Sequence, residues 1–170
     1  TPATPEQSFK DDPLRMLRAA MFAAQPELDP TPRVVRAIEQ MHARLAIVSA
    51  ERIGDELSKL LLSDAPSRGL ELVVETGLAE EFLPELSALQ LEQDPVHKHK
   101  DVLHHTFAVV EKCEANLTLR LAALLHDVGK PKTREITPDG VSFHHHEVVG
   151  ARMARERLQA LSSRLAFLES

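Results

Sequence analysis

The sequence predicts an all-α protein with at most one short β-hairpin. Apolar residues recur at helical spacing through most of the 170 residues, and Ser, Thr, Asp and Pro fall where those stretches begin. Only the region around Pro138-Asp139-Gly140 has the turn chemistry of a hairpin. In the first helix Asp12 is placed to N-cap, Pro13 takes the first helical position, and Leu14, Leu17, Met21 and Ala24 form the apolar stripe. Arg15 and Arg18 face elsewhere. Pro26, Pro30 and Pro32 interrupt the pattern, and Thr31 restarts it with Val35, Ile38, Met41 and Leu45 inward. Ser49 caps a third helix carrying Ile53, Leu57, Leu60 and Leu61, which ends at Ser63-Asp64-Ala65-Pro66. A fourth runs over about 67–76 with Gly77 as a left-handed stop, and a short acidic helix follows around 79–89.

Asp101 then caps a helix holding Val102, Leu103, Val109, Val110 and Cys113. Asn116 or Thr118 starts the next, through Leu121, Leu124 and Leu125 to His126-Asp127, with Gly129 and Pro131 ending it. Residues 133–137 and 141–143 flank the hairpin turn. The last helix begins near Glu147, with Val148, Ala151, Ala154, Leu158 and Leu161 inward and Arg152, Arg155 and Arg157 outward.

Composition narrows the function. A chain that is 43% apolar and 27% charged buries a core, which excludes dominant disorder. Cys113 is the only cysteine, so an internal disulfide and a cysteine-framed zinc site are both excluded. No apolar run approaches the ~20 residues needed to cross a bilayer, and the expected location is the cytoplasm. With no Tyr or Trp, aromatic platforms for single-stranded bases are not expected. Met16, Met21, Met41 and Met153 read as helix packing and Cys113 as a small core residue. The chain starts without Met and stops inside a helical pattern, so it reads as a piece of something longer.

Charge and histidine are unevenly spread. Residues 1–94 carry a balance of −8 and residues 95–170 one of +2, within a total of −6. Eight of nine histidines lie between His97 and His146, which places metal or acid–base chemistry in the second half. A shift in composition at Gln93-Asp94-Pro95 divides the chain into a helical region of residues 1–94 and a His-rich domain of residues 95–170. His42, outside the cluster, reads as an exposed helical residue. His97 and His99 sit in His-Lys-His-Lys, either solvated or in reach of phosphate.

The decisive stretch is Leu121-Ala-Ala-Leu-Leu-His126-Asp127-Val128-Gly129-Lys130-Pro131. An imidazole and a carboxylate at the last turn of an apolar helix can share one cation on a rigid support. Further ligands are available from His104-His105 and from His144-His145-His146. Lys130 either stabilises negative charge on a phosphate or complements the helix C-terminus.

This arrangement resembles the HD metal-dependent phosphohydrolase superfamily. The resemblance implies His105, His126, Asp127 and His146 as metal ligands, with Phe143-His-His-His146-Glu147-Val-Val-Gly150-Ala151 similar to the family's "F…HE..GA" segment. His126, Asp127 and Lys130 are then the catalytic candidates, around Mg, Mn, Zn or another transition metal. His104, His144 and His145 become neighbours, and a final ligand belongs on a later helix.

A second resemblance lies in Asp11-Asp12-Pro13-Leu14-Arg15-Met16-Leu17-Arg18-Ala19-Ala20 and in Glu51-Arg52-Ile53-Gly-Asp-Glu56-Leu57. Both are similar to the neck and body of bacterial tRNA nucleotidyltransferases of the CCA-adding and poly(A) polymerase family, many of which append an HD domain. It implies that Asp12, Arg15 and Arg18 contact the nucleotide and that CTP, ATP and tRNA are the partners, and the i, i+3 spacing of Asp12 and Arg15 at a helix start puts both on one face. Met21 stands where the family usually has Arg. The Mg²⁺-binding palm is not in this sequence, so nucleotidyl transfer is not expected of the chain alone. An HD phosphohydrolase acting on nucleotides or cyclic phosphates, and a non-catalytic RNA-docking module, are the competing readings. Lys98, Lys100, Arg152, Arg155 and Arg157 are the available basic patch, although a net −6 chain is expected to bind RNA weakly.

Overall fold

A computed structural model describes residues 3–90 and 101–161. Gln93-Asp94-Pro95, His97, Lys98, His99 and Lys100 lie outside the described residues. Helices α1 (Pro5–Asp11), α2 (Leu14–Ala23), α3 (Pro32–Met41), α4 (Ala50–Leu61), α5 (Pro66–Glu75) and the one-turn α6 (Pro84–Ser87) form the first part. Two 3₁₀ turns, His42–Ile47 and Leu78–Glu81, join them. Next come α7 (Val102–Lys112), α8 (Leu117–Leu125), the short α9 (Lys130–Thr133), strands β1 (Arg134–Thr137) and β2 (Gly140–Phe143), and α10 (His146–Leu161).

Most predicted helix starts are present because their caps work as capping chemistry requires. The side chains of Thr31, Ser49, Asp101 and Asn116 each accept the amide three residues on. Asn116, not Thr118, opens α8. Gly77 adopts the left-handed conformation, φ 82°, that ends α5. In the hairpin Arg134 pairs with Phe143 and Thr137 with Gly140, leaving Pro138-Asp139 as the loop.

Several expectations are corrected. Helix α1 was not anticipated; it is capped by Thr4, begins at Pro5 and buries only Phe9, too little periodicity to show in the sequence. Asp12 is the C-cap of α1, and Pro13, expected as the first helical residue, takes the N-cap position of α2 in place of Asp12, whose Oδ1 accepts the Leu14 amide at 3.2 Å. The Val35–Leu45 stripe breaks into a 3₁₀ turn after Met41. The acidic helix is split by Pro84 into a 3₁₀ turn and one α-turn. Pro131 opens α9 instead of ending α8. Val148 is 64% exposed and Ala151 is exposed as well, because α10 leans on α9 and α4 through Gly150, Leu158 and Leu161. His42 is half-buried, with Nδ1 2.9 Å from Glu81 Oε1 and its ring against Gly77.

α2 is the centre of the first part, packed between α4 and α5 with Leu14, Met16, Leu17 and Ala20 buried. The same apolar core continues through Leu60, Leu70 and Val73 to Val102, Phe107 and Val110 of α7 and Leu121 and Leu124 of α8. Arg120, 6% exposed, joins the two parts by donating to the carbonyls of Leu61, Ser63 and Cys113. Arg157, expected to be solvated, instead grips Glu85 through Nε and Nη2 at 2.8–3.0 Å.

Candidate metal centre

Leu124 and Leu125 fix the end of α8 in the core, and the chain turns at His126-Asp127-Val128-Gly129. Asp127 is thereby 2% exposed, at the meeting point of three helices. His126 Nε2 lies 3.1 Å from Asp127 Oδ2 and His105 Nε2, from α7, lies 4.0 Å from the same oxygen. His146 Nε2, from the start of α10, is 3.6 Å from Asp127 Oδ1. One donor atom from each of His105, His126 and Asp127 falls within 4.8 Å of the others, and the two rings meet edge to face at 5.6 Å.

The ring tautomers fit a cation. His126 Nδ1–H donates to the Ala123 carbonyl at 2.6 Å, and His146 Nδ1–H donates to the Phe143 carbonyl at 3.0 Å. A carbonyl can only accept, so Nδ1 carries a proton in each ring; His126 Nε2 also carries one when it donates to Asp127 Oδ2 at 3.1 Å, and loss of that proton leaves an Nε2 lone pair that a cation can take. Gly129 makes the approach of α10 possible. A Cβ there would stand 2.2 Å from the His146 carbonyl oxygen and 2.7 Å from the Gly150 nitrogen. Its φ of −77° is ordinary, so the glycine serves close approach and does not supply a left-handed bend.

Lys130 Nζ lies 2.9 Å from Asp127 Oδ2 and 5.5 Å from the centre of the Phe143 ring. Burial alone would raise the Asp127 pKa, but hydrogen bonds from His126 and Lys130 outweigh it and hold the carboxyl at about 2. The Asp127 carboxylate in turn raises the His126 pKa above its ordinary value, against the opposing effect of burial. His104 belongs to a different contact, its Nδ1 2.7 Å from the capping Asp101, and His144 and His145 are exposed.

The candidate nucleotide residues lie elsewhere, at the start of α2. Arg15 Nη1 turns back to Ser8 Oγ at 3.0 Å, so it does not pair with Asp12 as the spacing suggested. Arg18 comes nearer, its Nη1 4.0 Å from Asp12 Oδ2, while its Nε donates to Glu56 Oε1 at 3.1 Å. Arg52 Nη2 donates to Asp12 Oδ2 at 3.1 Å. Arg52 and Glu56 were not anticipated in this cluster; their four-residue spacing on α4 puts both on the face towards α2. Arg15 and Arg18 line a cleft of about 530 Å³ with Phe9, Phe22 and Val34.

The chain thus joins a helical region carrying this charged cluster to a helical part with convergent His and Asp donors. Residues 27–89 match the family model described as "Probable RNA and SrmB- binding site of polymerase A", and residues 101–169 match that of the HD domain. The A-adding tRNA nucleotidyltransferase of Deinococcus radiodurans is 38% identical over 169 residues, taking in 92% of this chain and 39% of that protein. The CC-adding tRNA nucleotidyltransferase of Thermus thermophilus is 40% identical over 167 residues, 90% of this chain and 38% of that protein. The multifunctional CCA protein of Neisseria gonorrhoeae is 33% identical over 162 residues, with 91% and 39% covered. Over nearly all of its own length the chain is homologous to bacterial tRNA nucleotidyltransferases, and it spans about two-fifths of theirs.

Proposed function

We propose that this chain is the neck, body and HD portion, divided near residue 94, of a cytoplasmic enzyme that adds CMP and AMP from CTP and ATP to tRNA 3′ ends. One observation carries the reading: an RNA-binding region and an HD domain follow each other on one chain, at 33–40% identity to proteins named for that reaction. Transfer itself, with its Mg²⁺ ions, belongs to a palm outside this sequence.

Asp12 and the Arg15–Arg18 pair are the base readers in this proposal. A carboxylate accepts from the exocyclic amine that cytosine and adenine share, and a guanidinium donates to the ring acceptors that differ between them. Arg18 is held at Nε by Glu56, which leaves its terminal nitrogens for a base, whereas Arg15 must exchange Ser8 for one. In the HD site His105, His126, Asp127 and His146 would hold a divalent ion, and three imidazoles to one carboxylate favour Mn, Zn or another transition metal over Mg. Such an ion supplies Lewis-acid polarisation of a phosphoryl group and a lowered pKa for water. The site then hydrolyses phosphate esters, with Lys130 countering negative charge.

The test uses the full-length enzyme. Replacing Arg15 with Ala should shift the CTP-to-ATP preference by about tenfold while thermal stability holds, because base discrimination by a good hydrogen-bonded pair is worth roughly 1–3 kcal/mol. An unchanged preference would return Asp12, Arg15 and Arg18 to a cap and ion-pair role.

A further inference from the structure

Three groups converge on one oxygen of Asp127: the ammonium of Lys130 at 2.9 Å, His126 Nε2 at 3.1 Å and His105 Nε2 at 4.0 Å. A cation shared by His105, His126 and this carboxylate must use the oxygen nearest both rings, which is the one that Lys130 holds. The ammonium also has a second seat. Its Nζ already lies 5.5 Å from the Phe143 ring centre, within cation–π range, and Phe143 ends the strand beside the site.

We propose that Lys130 is a built-in placeholder cation: it neutralises Asp127 while the centre is empty of metal, competes with the divalent ion for Oδ2, and is released by it towards Phe143. The proposal rests on the metal-site reading above and adds a cost to it. Displacing an ammonium from a buried carboxylate weakens metal binding, and it makes the lysine available to an anionic ligand only in the loaded site. Metal occupancy and cation presentation are thereby coupled through one side chain.

The experiment titrates Mn²⁺ into the full chain by calorimetry, in the wild type and in Lys130→Met, Lys130→Arg and Asp127→Ala. A hydrogen bond to a charged group is strong enough that removing the competitor should tighten Mn²⁺ binding by about tenfold or more in Lys130→Met. Lys130→Arg, which keeps the charge, should stay near the wild type. A generally damaged site would bind less tightly, so tightening is not the mark of a structural lesion. An unchanged or weaker affinity in Lys130→Met overturns the placeholder while the metal site stands. If instead the wild type and Asp127→Ala bind Mn²⁺ equally, the metal reading itself fails and takes the placeholder with it. Should Lys130→Met not fold, the wild type decides alone: the Lys130 side-chain NMR resonances must shift on saturation with diamagnetic Zn²⁺, and resonances that do not move overturn the proposal.

Discussion

Asp127 shows how one residue can be both deeply buried and firmly ionised. Desolvation opposes its charge, and two hydrogen-bonded cations more than restore it, holding the pKa at about 2 against an ordinary 3.8. The folded metal-free chain therefore keeps Asp127 ionised at pH values where the unfolded chain has already bound a proton. Its contribution to stability is complete above pH 3.8 and disappears as the pH falls towards 2. His126 runs the other way. Its pKa is raised above 6.5, so its contribution is complete below that value and is lost as the pH rises through the folded pKa. In chelator, urea unfolding followed against pH should show this pair contributing most between pH 3.8 and 6.5. Asp127→Asn should flatten both limbs; limbs that stay as steep would mean that other groups set the pH dependence. The sequence showed His126-Asp127 clearly because the pair is contiguous. It did not show that Arg15 reaches back to Ser8, since a flexible guanidinium chooses among partners that spacing cannot rank.

At the scale of elements, the site depends on how closely α10 approaches the turn after α8. Gly129 and Gly150 face each other there, and a Cβ on Gly150 would stand 3.3 Å from the Gly129 nitrogen, the weaker of the two conflicts. Gly129→Ala places its methyl 2.2 Å from a backbone oxygen, which no rotamer change relieves. The expected result is a loss of about 2–4 kcal/mol in urea unfolding, in the range of severe overpacking. His146 should also leave Asp127, weakening metal affinity more than an equal destabilisation made far from the site. A Gly129→Ala chain with wild-type stability would show that the approach can loosen freely. This role was not legible beforehand, because a glycine after a helix suggests a left-handed cap and says nothing about crowding. Helix starts were legible for the opposite reason: a cap such as Ser49 or Asp101 is a local bond between neighbours in sequence. Contacts such as Arg157 with Glu85, 72 residues apart, are decided only by packing.

The whole molecule carries its charge in a way that bears on RNA. The net charge is −6, and the basic side chains that could offset it are partly committed: Arg157 to Glu85, Arg120 to three backbone carbonyls, Arg18 and Arg52 to Glu56 and Asp12. Arg152 and Arg155 remain exposed on α10, a smaller patch than the run of arginines suggested. Affinity for nucleic acid rises with the number of phosphates neutralised, and the slope of affinity against salt counts them. The isolated chain should therefore bind tRNA with a Kd of about a micromolar or weaker at physiological salt, with a shallow salt slope, as expected of few phosphate contacts. Fluorescence anisotropy with labelled tRNA at several salt concentrations measures both. Nanomolar binding with a steep slope would mean that the chain holds a complete phosphate-binding surface. A weak, shallow result would mean that this chain's own side chains neutralise only a few phosphates, as the engagement of Arg18, Arg52, Arg120 and Arg157 within the fold requires.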